Sequence, residues 1–135
     1  MFREQPQAFV ALPRDGDESS SKLRAAIEEA LTRHEVTFVG GEHDFLTTSS
    51  LQALLRDTDL VIADITGGNP NVMLEVGMAL GMGKRLLLLS RGRSGDVPFN
   101  LSAQQVAVYE DVGSVRKYLD LWLRDAVSDS ELSSH

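Results

Sequence analysis

The chain's 135 residues, 42% hydrophobic and 24% charged with a formal net charge of −7, fit one globular domain with its own core. The acidic balance excludes a phosphate-tracking nucleic-acid surface, and zero cysteines exclude disulfides, thiolate metal sites and cysteine nucleophiles. No secretory core opens the chain and no apolar run nears the ~20 residues of a membrane span, so a cytoplasmic protein without membrane or nucleic-acid partners is expected.

Ala8 to Leu12 reads as a first strand, stopped by Pro13 and the polar loop Arg14 to Glu18. Ser19 to Ser21 are candidate caps for a helix from about Lys22 to Arg33, whose Leu23, Ala26, Ile27, Ala30 and Leu31 form an apolar stripe. Val36 to Val39 makes a short second strand ended by Gly40-Gly41, and Thr48 to Ser50 precede a brief helix containing Leu51, Leu54 and Leu55. Leu60 to Ile65 and Arg85 to Leu89 are continuous apolar runs separated by one helix length, as expected of parallel strands buried on both faces. Val106 to Tyr109 is a fifth strand, and Ser114 is a candidate cap for a last helix carrying Val115, Tyr118, Leu119, Trp122 and Ala126 at helical spacing.

Five strand-helix repeats predict an α/β fold, a flavodoxin-like doubly wound five-stranded parallel sheet of order 2-1-3-4-5 with helices on both faces. Residues 1–127 are expected to form the single domain and 128–135 a polar C-terminal tail. In this strand order the chain reverses direction between strands one and three, and ligands bind outside the carboxyl ends of those strands. That places Pro13 and Arg14 beside the segment from Asp64 to Asn71.

The helix after strand three starts with Asn69 as its cap and Pro70 at its first position, where a missing N–H costs nothing. Its backbone N–H groups are then candidates to meet an anionic or polar ligand. Asn71 and Glu75 are four apart on one helix face, and helical side chains lean toward the N-terminus, which aims Glu75 at the crevice. From spacing alone Glu75 fits a solvated helix face as well as a functional one. Asp64 interrupts an apolar strand near its end, where an unpaired buried carboxylate is costly, so it either caps N–H groups of the Gly67-Gly68 turn or holds a ligand hydroxyl. Gly77, Gly81 and Gly83 each weaken a helix by about 1 kcal/mol relative to alanine, which points to close approach of helix, sheet or ligand there. Neither a P-loop nor a Gly-x-Gly-x-x-Gly turn is present, and His34, His43 and His135 have no metal-ligand spacing.

The run from Ala63 through Asp64, Thr66, Asn69-Pro70-Asn71-Val72 and Glu75-Val76-Gly77 to Gly83-Lys84 resembles the strand-three signature of the nucleoside 2-deoxyribosyltransferase-like and TIR-like nucleotide-binding domains. Phe9 to Pro13, Pro98-Phe99-Asn100-Leu101 and Tyr109 extend the resemblance across most of Ala8 to Tyr109. It implies that Glu75 is the catalytic residue of an N-glycosidase, attacking the anomeric carbon or breaking the nicotinamide-ribose bond of NAD. It also implies that Pro13, Arg14, Asp64, Thr66, Gly67, Gly68, Asn69 and Asn71 line the substrate site.

Asn69 stands where the deoxyribosyltransferases often have an acid that helps protonate the leaving base, which favours nicotinamide, already a cationic leaving group. Arg14 replaces a common aromatic and is a candidate partner for a substrate phosphate. The leading expectation is therefore an NAD-hydrolase-like nucleotide N-glycosidase, as an effector module of a bacterial defence or signalling system. It would need no metal or other cofactor, with NAD or another nucleotide as substrate. The alternatives are a non-catalytic nucleotide-sensing or assembly domain and a nucleoside 2-deoxyribosyltransferase. Since one small chain offers little cover for a sugar-sized ligand, a homo-oligomer is expected.

Overall fold

The computed structural model describes residues 5–13, 18–40, 48–92 and 106–133. In chain order these form β1 (Gln7–Ala11), α1 (Glu18–Arg33), β2 (Thr37–Val39), α2 (Thr48–Arg56), β3 (Leu60–Asp64), α3 (Pro70–Gly81), β4 (Arg85–Arg91), β5 (Val106–Tyr109) and α4 (Val112–Ser133). The strands pair in parallel in the order β2-β1-β3-β4-β5, the doubly wound arrangement expected from the strand-helix alternation. No helix among the described residues is long and apolar enough to cross a membrane.

Alternation along the strands divides the core between the two faces of the sheet. Ala8, Val10, Leu60, Ile62, Leu87 and Leu89 pack with Leu23, Ile27 and Leu31 of α1 and Leu119, Trp122 and Leu123 of α4. Phe9, Ala11, Val61, Ala63, Leu86 and Leu88 pack with Leu51 and Leu55 of α2 and Val72, Val76 and Ala79 of α3. All five residues of β3 are buried, as the central strand of such a sheet must be.

Helix starts differ from expectation at three places. Helix α1 already begins at Glu18 and α2 at Thr48, so the serines after each lie inside the helix. For α4 the cap is Asp111: its carboxylate accepts the Ser114 backbone N–H at 2.9 Å, three residues in. Helix α4 also continues through Ser128 to Ser133, into the segment expected as a polar tail.

Two of the three α3-region glycines are not explained by close packing. A Cβ built on Gly77 or Gly81 meets no atom within 4 Å, so no described protein group approaches there. Gly83 instead takes φ +71° just past the helix, where its N–H reaches Leu80 O at 3.1 Å and Lys84 N–H reaches Ala79 O at 3.0 Å. It is a left-handed helix stop, a conformation that glycine adopts without cost.

Candidate active site

The strand order reverses between β1 and β3, so the carboxyl ends of these strands open the crevice that the topology reserves for ligands. Ala11 pairs with Ala63, and the same register carries Pro13 to the level of Ile65. Arg14 lies outside the described residues, as do Pro98-Phe99-Asn100-Leu101.

Asp64 ends β3 with only 4% of its surface exposed. Its Oδ1 accepts two hydrogen bonds from Thr66, from the backbone N–H at 3.1 Å and from the hydroxyl at 2.5 Å. Of the two roles open to it, Asp64 therefore fills the capping one, although its donor is Thr66 rather than the glycines. The Thr66 hydroxyl oxygen in turn accepts the Arg91 N–H at 2.9 Å. Both the donor and an acceptor site of that hydroxyl are thus engaged within the protein.

Tyr109 closes the same cluster from the end of β5, where it pairs with Arg91 in the sheet register. It is buried, and its hydroxyl hydrogen-bonds with Asp64 and Thr66. Burial first, then the Asp64 charge, pushes the Tyr109 pKa up to about 12, which keeps the phenol a hydrogen-bond donor at neutral pH. Desolvation also raises the Asp64 pKa, against the opposing pull of the Thr66 hydrogen bonds, Arg91 and Tyr109.

The turn that follows requires glycine twice, because Gly67 and Gly68 have φ +76° and +63°. Gly68 N–H closes the turn on Ile65 O at 3.0 Å. Asn69 then caps α3 with its side-chain oxygen, which accepts the N–H groups of Asn71 at 2.9 Å and Val72 at 3.2 Å, while its backbone carbonyl accepts Met73 N–H at 2.9 Å. The first turn of α3 therefore has its N–H groups satisfied internally. The expectation that they would receive an anionic ligand fails at Asn71, Val72 and Met73, because Asn69 reaches them first.

Glu75 lies one turn beyond Asn71 on the same helix face. It is half-buried, and no hydrogen-bond or ion-pair partner meets its carboxylate among the described residues. Burial alone pushes its pKa from 4.5 up to about 7. Asp64 differs, because its Oδ1 holds two hydrogen bonds from Thr66. A desolvated, unpartnered carboxylate is free to accept a bond or a proton from a ligand.

The structure thus joins Asp64, Thr66 and the glycine turn into one unit and Asn69 with Asn71 into another, with Glu75 as the chemically available group. Tyr109 and Arg91 are the additions. Tyr109 carried a readable signal, an aromatic with a polar tip at the end of an apolar strand; Arg91 contributes its charge near Asp64 and a backbone N–H, and side-chain chemistry gives no clue to the second.

No protein-family model matches the chain, and no curated protein matches its sequence. Solved structures share the fold. The CMP N-glycosidase BcmB of Clostridium botulinum superposes with a TM-score of 0.67 at 20% identity, covering 86% of this chain and 98% of that one. A fungal multi-domain GH3 β-N-acetylglucosaminidase, a chain that contains a GCN5-related glucosamine N-acetyltransferase region, superposes with a TM-score of 0.55 at 15% identity, over 89% of this chain and 14% of that one. At these identities the likeness is one of architecture.

Proposed function

We propose that this protein is a nucleotide N-glycosidase in which Glu75 acts on the bond between base and sugar. The observation that carries the proposal is the half-buried, unpartnered Glu75 carboxyl, one turn into the helix that leaves β3 beside the switch point. The likeness of fold to a CMP N-glycosidase supports the same reaction class.

In the proposed reaction the ionised Glu75 carboxylate approaches the anomeric carbon from the face opposite the base. As the carbon–nitrogen bond breaks, its electron pair leaves with the base, and the carboxylate compensates the positive charge left on the sugar. A carboxylate–sugar ester forms, and water hydrolyses it. The water's hydroxyl goes to the anomeric carbon and its remaining proton to the departed base or to solvent. This frees the sugar product, ribose phosphate from a mononucleotide or ADP-ribose from NAD, and restores the carboxylate. Burial near the helix serves this chemistry, because a carboxylate stripped of water interacts more strongly with an oxocarbenium-like carbon.

Two substrates are separated by the leaving group. Asn69 supplies no acid and its oxygen is occupied as a cap, which favours nicotinamide departing from NAD without a proton. The shared architecture with a CMP N-glycosidase favours a pyrimidine nucleotide. Purified protein incubated separately with NAD, CMP and deoxynucleosides, followed by chromatography for free base, decides between them. Release of nicotinamide or cytosine by the parent protein but not by Glu75→Gln supports the reading; no base released from any substrate rejects it.

A further inference from the structure

Arg33, His34, Asp120, Leu121 and Arg124 line a cleft of about 340 Å³ between the end of α1 and the middle of α4. The register places it at the amino-terminal edge of the sheet, away from the crevice. The turn after α1 leads into Thr37, which pairs with Gln7, the first residue of β1. The volume falls within the roughly 300–1,000 Å³ of small-molecule clefts. None of the lining residues belongs to the crevice or enters the proposed glycosidase chemistry.

The cleft is cationic in an acidic chain. Its lining holds two arginines and a histidine against one carboxylate, whereas the whole chain has a formal charge of −7. Asp120 positions two of these groups, because its Oδ1 accepts Arg33 Nη2 at 3.0 Å and lies 3.0 Å from His34 Nε2. A carboxylate has no proton to give, so His34 Nε2 carries the hydrogen of that bond. A guanidinium has five N–H donors, of which Asp120 takes one from Arg33. Arg124 stands one turn beyond Asp120 on α4 and has no ion-pair partner among the described residues. The carbonyls that end α1 are engaged, since Ala30 O, Leu31 O and Thr32 O accept the N–H groups of His34, Val36 and Glu35. Leu121, 54% exposed, adds an apolar wall beside the donors.

We infer that this cleft binds an organic phosphate monoester, with its phosphate on Arg33 and Arg124 and its organic part on Leu121. Two guanidinium forks suit a phosphate better than a carboxylate, because three free oxygens can meet both forks where a carboxylate offers two. Leu121 separates an ester from bare phosphate, which has nothing to lay on an apolar wall.

Proton NMR of the parent chain reads occupancy through the imidazole C–H resonances of His34, assigned by their loss in His34→Gln and followed at constant ionic strength. Phenyl phosphate is expected to shift them saturably, with a dissociation constant on the order of 1 mM. Inorganic phosphate is expected to bind about tenfold more weakly, and phenol not to bind. Arg124→Gln is expected to weaken phenyl phosphate about tenfold, and Leu121→Ala to reduce it to the affinity of inorganic phosphate. Both changes are on exposed positions, and an unchanged melting temperature shows that the fold is intact. His34 resonances that stay still up to about 20 mM phenyl phosphate overturn the inference. So does a shift that Arg124→Gln leaves unchanged, or equal affinity for phenyl phosphate and inorganic phosphate, which marks an adventitious ion only. Binding of the same compound in the crevice does not touch His34, so this outcome is separate from that of the base-release assay.

Discussion

Thr66 holds Asp64 twice, with its backbone N–H at 3.1 Å and its hydroxyl at 2.5 Å from the same oxygen. The same hydroxyl accepts the Arg91 N–H, so one threonine side chain ties the ends of β3 and β4 together. Thr66→Val keeps shape while leaving Asp64 and the Arg91 N–H short of a bond. Chemical denaturation is expected to show a loss of about 1–3 kcal/mol, with Thr66→Ser near the parent. A valine variant as stable as the parent would show that the latch contributes nothing.

For Glu75→Gln the expected result is loss of base release with the fold retained. Glutamine preserves size and helix propensity but has no charge to offer the anomeric carbon. Turnover at the parental rate would remove Glu75 from the chemistry.

The same substitution has a stability consequence whose sign follows from the raised pKa. Between 4.5 and about 7 the folded state holds a proton on Glu75 that the unfolded chain has released. Folding therefore loses stability as pH rises through that window, and the loss is complete above it. Glu75→Gln is expected to melt higher than the parent at pH 8 and to converge with it near pH 4. A base-release rate for the parent that climbs with pH through about 7 is the companion observation; a flat profile across that range would assign the limiting step elsewhere.

Glycine substitutions separate two kinds of position. Gly67→Ala and Gly68→Ala meet no atom within 4 Å but force a left-handed backbone on alanine, so each is expected to cost about 1–2 kcal/mol. Gly77→Ala sits in ordinary helix with the same open surroundings, and is expected to stabilise by up to about 1 kcal/mol. Urea melts of the three variants check the contrast, and destabilisation by Gly77→Ala would reveal an approach to that face.

Asp111→Ala removes the oxygen that receives Ser114 N–H and is expected to cost about 1 kcal/mol by thermal melt, whereas Ser114→Ala costs less. Equal losses would return the capping role to Ser114.

The architecture was legible because its signals are periodic. Continuous apolar runs at Leu60 to Ile65 and Arg85 to Leu89 leave no other place for two parallel central strands, and the Asn69-Pro70 start of α3 depends only on local chemistry. Caps at serine were misread because a serine within two or three positions of a helix start serves as well inside the first turn as at its boundary. Asp64 was open between capping and binding, since that choice depends on where Thr66 turns back, a matter of two residues' dihedral angles. Tyr109 joins Asp64 only through a register between strands separated by more than forty residues, which no local pattern encodes.

The latch at Asp64 also divides the sheet mechanically. The ends of β3, β4 and β5 meet in one hydrogen-bonded cluster, while β2 at the opposite edge has three residues, none buried, paired to β1 alone. Compliance is therefore concentrated at the β2 side of the crevice and withheld from the Glu75 side. Whatever adapts to the shape of a ligand does so against a rigid wall, and slow amide hydrogen exchange in β3 and β4 beside fast exchange in β2 would be its signature.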